Sequence, residues 1–143
     1  MKTFAAVICL LAATTVVRSM DQDEIIAKYL EYLMPDIQPC VDEFHIEGDE
    51  ITRVQHGTST TDSKQLGCMK ACVMKRMKIL IGPDFHLEPI NKMIETIHAG
   101  NDDDVKLVKK IAGDCADQIK GESDECEVGT KYTDCYIEKL FSD

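Results

Sequence analysis

The sequence predicts an all-α fold, a compact bundle of about six short helices in one domain, and three observations carry that reading. Apolar residues recur at three- and four-residue spacing along most of the chain, the mark of amphipathic helices with one buried stripe. Sustained two-residue alternation and tight turns between apolar runs are nearly absent, so strands are not expected. Beyond the first 20 residues stand six cysteines, at 40, 68, 72, 115, 126 and 135, enough to cross-link short helices covalently.

The chain opens with Met1-Lys2, runs apolar from Phe4 to Val17 apart from Thr14 and Thr15, and then reads Arg18-Ser19. A short positive start, an apolar centre and a small residue before a cut at Met20 or Asp21 make residues 1–19 a secretory signal peptide and 20–143 the folded domain. The apolar run is shorter than the roughly 20 residues a membrane span needs, and no later segment comes close. The mature protein is therefore expected to be exported and soluble. Cys9, Lys2 and Arg18 leave with the leader, so the formal net charge of −10 becomes about −12 with histidines neutral. Nucleic acid and anionic membranes both call for a basic footprint and are excluded as partners. The acidic balance reads as solubility at high concentration. An even number of cysteines in a small exported chain means three disulfides and neither metal nor redox chemistry, and composition alone does not choose the pairing. Cys68 and Cys72 lie one helical turn apart on the same face, so each is expected to reach a different neighbouring helix. A zinc site would need a second compact Cys/His pair, which the sequence lacks. No cofactor is expected.

The elements follow in order. The first helix is expected from about Asp23 to Met34, with Ile25, Ile26, Tyr29, Leu30, Leu33 and Met34 on its stripe, broken or kinked at Pro35. A short helical piece continues from Asp36 through Cys40 to Phe44, and Gly48-Asp49 opens a short second helix that Gly57 closes. Residues 57–61, Gly-Thr-Ser-Thr-Thr, form a loop. Asp62 caps the third helix, with Gln65 placed as in a capping box. Leu66, Met69, Cys72, Val73, Met77 and Leu80 make its inner face, and Gly82-Pro83 stops it. The fourth helix aligns Leu87, Ile90, Met93, Ile94 and Ile97 before Gly100. Asn101 caps the fifth, whose first turn sets Asp102, Asp103 and Asp104 at the positive end of the dipole. Val105, Val108, Ile111, Ala112, Cys115 and Ile119 line its buried face. The sixth is expected from near Thr130 to Phe141, and no helix exceeds about 18 residues.

The spacing C40-x27-C68-x3-C72-x42-C115-x10-C126-x8-C135 resembles the six-cysteine signature of insect odorant-binding proteins, pheromone-binding and general odorant-binding branches included. The stretch Leu-Gly-Cys-Met-Lys-Ala-Cys at 66–72 and the Gly-Pro-Asp turn that follows are similar to moth members. The resemblance covers the whole mature chain. It implies the pairing Cys40–Cys72, Cys68–Cys126 and Cys115–Cys135, and a closed bundle around an apolar cavity. It also implies a secreted carrier that takes a small apolar volatile through aqueous lymph, sensillum lymph being the best-known setting, to an olfactory receptor. The same resemblance leaves room for a homodimer, and for a secreted scavenger of hydrophobic ligands in saliva or reproductive fluid.

Within that frame the ligand-binding candidates are Leu30, Leu33, Val54, Met69, Val73, Met77, Phe85, Ile90, Ile94, Val108, Ala112, Ile137 and Phe141. Taken singly each is an ordinary core residue; methionines at 69, 77 and 93 add flexible, polarisable surface that adapts to a guest. Tyr29, Tyr132, Tyr136 and Thr52 are the candidate polar handles. Eight residues follow Cys135, fewer than the tail that enters the cavity of moth pheromone-binding proteins at acid pH. That tail is expected to form wall, with Leu140 and Phe141 turned inwards. An acid gate would then rest on His86 and His98, which titrate in the relevant range, although isolated histidines more often sit at the surface without a role. An enzyme is not expected: G-x-S-x-G and H-E-x-x-H are absent, no histidine stands beside paired cysteines as in secreted phospholipases, and the Asp102–Asp104 run lacks calcium-loop spacing. A saposin-type bundle would cluster its cysteines differently.

Overall fold

The computed structural model describes residues 21–46, 50, 53 and 62–142. The leader and the loop expected at 57–61 lie outside these residues, as does most of the expected short second helix, of which Glu50 and Arg53 are helical. Among the described residues the chain forms five helices and one small hairpin: α1 (Gln22–Glu43), α2 (Ser63–Arg76), β1 (Leu80–Ile81), β2 (Asp84–Phe85), α3 (Glu88–Ile97), α4 (Asp102–Gln118) and α5 (Glu125–Phe141).

Helix starts follow the sequence chemistry closely. Asp21, Asp62, Asn101 and Asp124 each accept a backbone N–H two or three residues on, satisfying donors the helix leaves open, at about 1 kcal/mol apiece. The capping box at 62–65 does not form. Gln65 instead donates to the carbonyl of Phe44 at 2.8 Å, closing the C-terminal end of α1 against α2.

Four expectations need correction. Pro35 does not end the first helix: α1 runs 22 residues through Pro35 and Pro39, because Ile37, Cys40 and Val41 beyond Pro35 are buried and Cys40 is bonded into α2. The 18-residue ceiling fails for the same reason. The third helix stops at Arg76, short of Leu80. Lys78 turns left-handed there (φ 65°), and Gly82-Pro83 makes the tight turn between β1 and β2, pairing Leu80 with Phe85. The last helix begins at Glu125, five residues before the expected Thr130. It runs through Gly129, a poor helix former in isolation, whose missing side chain is what α2 packs against.

That packing is unusually close. A Cβ on Gly67 would strike the Cys126 carbonyl and the Thr130 side chain, and one on Gly129 would strike the Gly67 carbonyl and the Ala71 nitrogen. The disulfide Cys68–Cys126 bolts this glycine seam, Cys40–Cys72 ties α1 to the other side of α2, and Cys115–Cys135 ties α4 to α5. The pairing is the one the resemblance implies, with Cys126 inside α5 and not before it. With sequence separations of 32, 58 and 20 residues, each bond contributes roughly 3–4 kcal/mol in the chain-entropy treatment.

Two apolar clusters result. The larger joins α3, α4 and α5 around Ile90, Ile94, Val108, Ile111, Ala112 and Tyr132. The smaller joins α1 and α2 around Ile37, Cys40, Val41, Ile46 and Val73. Leu33 and Met77 touch both, and the space between the clusters is where the bundle is hollow.

Candidate functional site

The hollow is a cavity of about 510 Å³, within the roughly 300–1,000 Å³ of small-molecule sites. One wall is the stripe Ile26, Tyr29, Leu30, Leu33 and Ile37 of α1, positions that helical spacing alone puts on one face. The facing wall is Leu66, Met69, Val73, Met74 and Met77 of α2. Ile90 and Met93 of α3 close one side and Tyr132, Tyr136, Ile137, Leu140 and Phe141 of α5 another.

Two further wall residues come from helix ends. Ile46 and Ile79 each follow a left-handed non-glycine residue, His45 (φ 53°) and Lys78 (φ 65°). The Ile46 N–H donates to the Val41 carbonyl at 3.0 Å and the Ile79 N–H to the Met74 carbonyl at 2.9 Å. This is the Schellman ending, which turns the next apolar residue back over the helix it terminates. The same motif, used twice, drops an isoleucine into the cavity wall from α1 and from α2.

Of the residues the sequence nominates, Leu30, Leu33, Met69, Val73, Met77, Ile90, Ile137 and Phe141 border the cavity. Val54 and Thr52 lie outside the described residues. Four nominations are corrected. Ile94, Val108 and Ala112 do not border it; they are packed in the solid cluster, Ile94 and Ala112 with no exposed surface at all. Phe85 is not in the cavity wall; its ring packs at a tilt against Tyr132, 4.8 Å between ring centres. Conversely, Ile37, Ile46, Met74, Ile79 and the carboxylate residue Glu50, 3 % exposed, are wall residues that helical patterning does not distinguish from core. Leu140 and Phe141 do face inwards.

Beside Gln22, Glu50, Lys70 and Thr133, the polar groups of the wall are tyrosines. Tyr29 Oη lies 2.7 Å from Tyr136 Oη and 3.0 Å from His98 Nε2. Tyr132 Oη donates to the Ala112 carbonyl at 3.1 Å. His98 is not the surface residue its sequence position suggests: it caps the end of α3 and is 3 % exposed. His86 is exposed and does not border the cavity. Burial pushes the Tyr29 hydroxyl up to about 12, the Tyr136 hydrogen bond offsetting part of the rise. Burial also raises Tyr132 and Tyr136 well above the usual phenol range. His98 is held below 6.5 by burial first, with Asp104 opposing and Lys28 adding to the shift. At neutral pH the cluster is therefore uncharged: three phenols and a neutral imidazole. That cluster has little to offer a charged ligand and much to offer a hydrophobic one with at most a small polar group; the charged residues of the wall are Glu50 and Lys70.

None of the helices among the described residues is long and apolar enough to cross a membrane. The sequence model of the PBP/GOBP family matches residues 22–139, from the first turn of α1 to the last of α5. No curated protein matches the chain.

Proposed function

The chain belongs to the PBP/GOBP family, the insect pheromone- and general odorant-binding proteins, whose members bind and transport hydrophobic ligands, and from that premise we propose that it is a secreted carrier. It takes a small apolar volatile into the cavity between α1, α2 and α5, shields it from water, and moves it through extracellular lymph toward a receptor. The observation that carries the proposal is the cavity wall: helix stripes, two Schellman isoleucines and the end of α5 converge on one hollow with almost no polar surface.

The thermodynamics suit a carrier. Each buried CH₂ of a guest contributes about 0.8 kcal/mol, so a guest of roughly ten to sixteen carbons reaches micromolar affinity after the cost of association. Such affinity retains a ligand during diffusion without trapping it for long. The solid cluster and the three disulfides hold the bundle open, since the hollow itself contributes little cohesion. The test is displacement of an apolar fluorescent probe from the oxidised protein by aliphatic volatiles. One probe bound per chain and displaced at micromolar competitor is the expected result. A chain that takes up no probe, or that instead makes liposomes leak, is not a cavity carrier.

A further inference from the structure

Three phenol side chains, Tyr29, Tyr132 and Tyr136, line the cavity beside the shorter hydroxyl of Thr133, and their bonding sets one phenol apart as a donor to a guest. Tyr132 donates its proton to the Ala112 carbonyl, so it has none to give. Tyr29 sits between two partners, His98 Nε2 at 3.0 Å and Tyr136 Oη at 2.7 Å. Tyr136 borders the cavity and ends this chain, with Tyr29 as its partner.

Three proton arrangements satisfy that geometry; the one in which both neighbours donate to Tyr29 is disfavoured, because one lone pair of a phenol oxygen is conjugated with the ring and accepts weakly, and two remain. In one, Tyr136 donates to Tyr29 and Tyr29 donates to His98 Nε2; the imidazole proton must then sit on Nδ1. In the other, His98 Nε2–H donates to Tyr29, Tyr29 donates to Tyr136, and the Tyr136 proton points onward. His98 Nδ1 decides between them. It is buried and has no hydrogen-bond partner among the described residues. The first arrangement strands an N–H there, whereas the second leaves only a bare lone pair; orphaned buried N–H groups are the rarer and costlier case. The second arrangement in turn leaves the Tyr136 O–H needing an acceptor, and the cavity is the place from which one can come.

We propose that Tyr136 Oη is the cavity's hydrogen-bond donor, set by the His98–Tyr29 relay, and that the preferred guests are aliphatic chains bearing a carbonyl oxygen: ketones, aldehydes or esters. This rests on the carrier reading and sharpens it from apolar guests in general to one chemical class. Tyr136 is the contacting residue; His98 and Tyr29 are positioning residues that act through it. A carbonyl accepts the proton and has none of its own, so it matches the relay in this direction. A plain hydrocarbon leaves the phenol unserved.

The test uses 2-undecanone and undecane with the oxidised protein, by equilibrium headspace partitioning. Tyr136→Phe is expected to weaken the ketone about tenfold more than the alkane, the cost of one buried hydrogen bond left unmade, and His98→Gln to weaken the ketone in the same sense but less. If both ligands lose affinity by the same factor in Tyr136→Phe, the donor role is overturned while the carrier reading stands. If neither ligand enters the wild-type protein, both readings fall together. A readout on the unaltered chain guards against a misfolded variant: the infrared C=O band of bound 2-undecanone is expected below its position in alkane solvent. A band at the alkane position overturns the proposal whatever the variants do.

Discussion

The two sides of this bundle are built from the same kind of residue and do opposite things. On the α3–α4 side, Ile94, Val108 and Ala112 interlock with 3 % or less of their surface exposed. On the α1–α2 side, Leu30, Leu33, Met69 and Met77 are only half-buried, and they face one another across empty space. The difference lies in how the side chains fit more than in hydrophobicity. Small Ala112 lets branched neighbours close up on the first side, while flexible Met69 and Met77 stand among the branched residues of the second. Cys40–Cys72 fixes α1 to α2 on the hollow side, so that collapse across the gap would strain a covalent tie. A binding protein of this size therefore separates the part that makes it stable from the part that makes it useful.

The comparison can be broken most sharply by truncation. Ile94→Ala is expected to cost about 3–4 kcal/mol, because a fully enclosed site cannot relax. Met69→Ala is expected to cost about 1 kcal/mol or less, since its side chain already borders a void and gives up few contacts. Urea unfolding of both variants measures this, and equal losses would erase the distinction between solid and hollow sides. Next in size, a saturating guest should stabilise the hollow side: at one hundred times its dissociation constant an apolar ligand adds about 2.7 kcal/mol, read as a rise in Tm. Gly129→Ala should cost about 1–3 kcal/mol by forcing α5 away from the Gly67 carbonyl, and the cost should shrink little when a guest is present, because the seam lies outside the cavity.

Two smaller effects sharpen the picture. Lys78→Gly relieves a left-handed non-glycine residue and should raise stability by about 0.5–1 kcal/mol, with Ile79 kept in the wall. Acid should act on the cluster through His98. Its folded-state value lies below 6.5 because of burial, so the unfolded chain takes up the proton first. The stabilisation is complete above about pH 6.5 and is lost as pH falls toward the folded-state value. A wild-type Tm that drops more between pH 7.5 and 5.5 than that of His98→Gln is the expected outcome, and parallel drops would remove His98 from the account.

Much of this was legible in the sequence, and what was not has a physical reason. Caps at Asp62 and Asn101 and the inner faces of α1, α2 and α4 are local properties, and local patterning reports them well. The cysteine pairing came through family resemblance, since spacing alone leaves it open. Periodicity says that a residue is turned inwards but not what it meets there, which is why Ile94, Val108 and Ala112 were indistinguishable from Leu30 or Val73. The start of α5 was hidden because Gly129 is chosen for the helix it abuts and not for the helix it is in. Nothing local could reveal the polar cluster: Tyr29 meets His98 across 69 residues and Tyr136 across 107.

Prolines 35 and 39 stand four apart inside α1, and neither has an N–H to give to the carbonyl one turn back, on Glu31 and Pro35. Glu31 and Pro35 are both exposed, so water can serve those carbonyls where the backbone does not. Midway along its length, α1 thus has a hydrated outer edge and an intact inner one, the condition under which a helix bows outward toward solvent. Bending there ruptures no bond that folding has made. The glycine seam of Gly67 and Gly129, between the two helices that Cys68–Cys126 joins, lies away from that stave of the barrel.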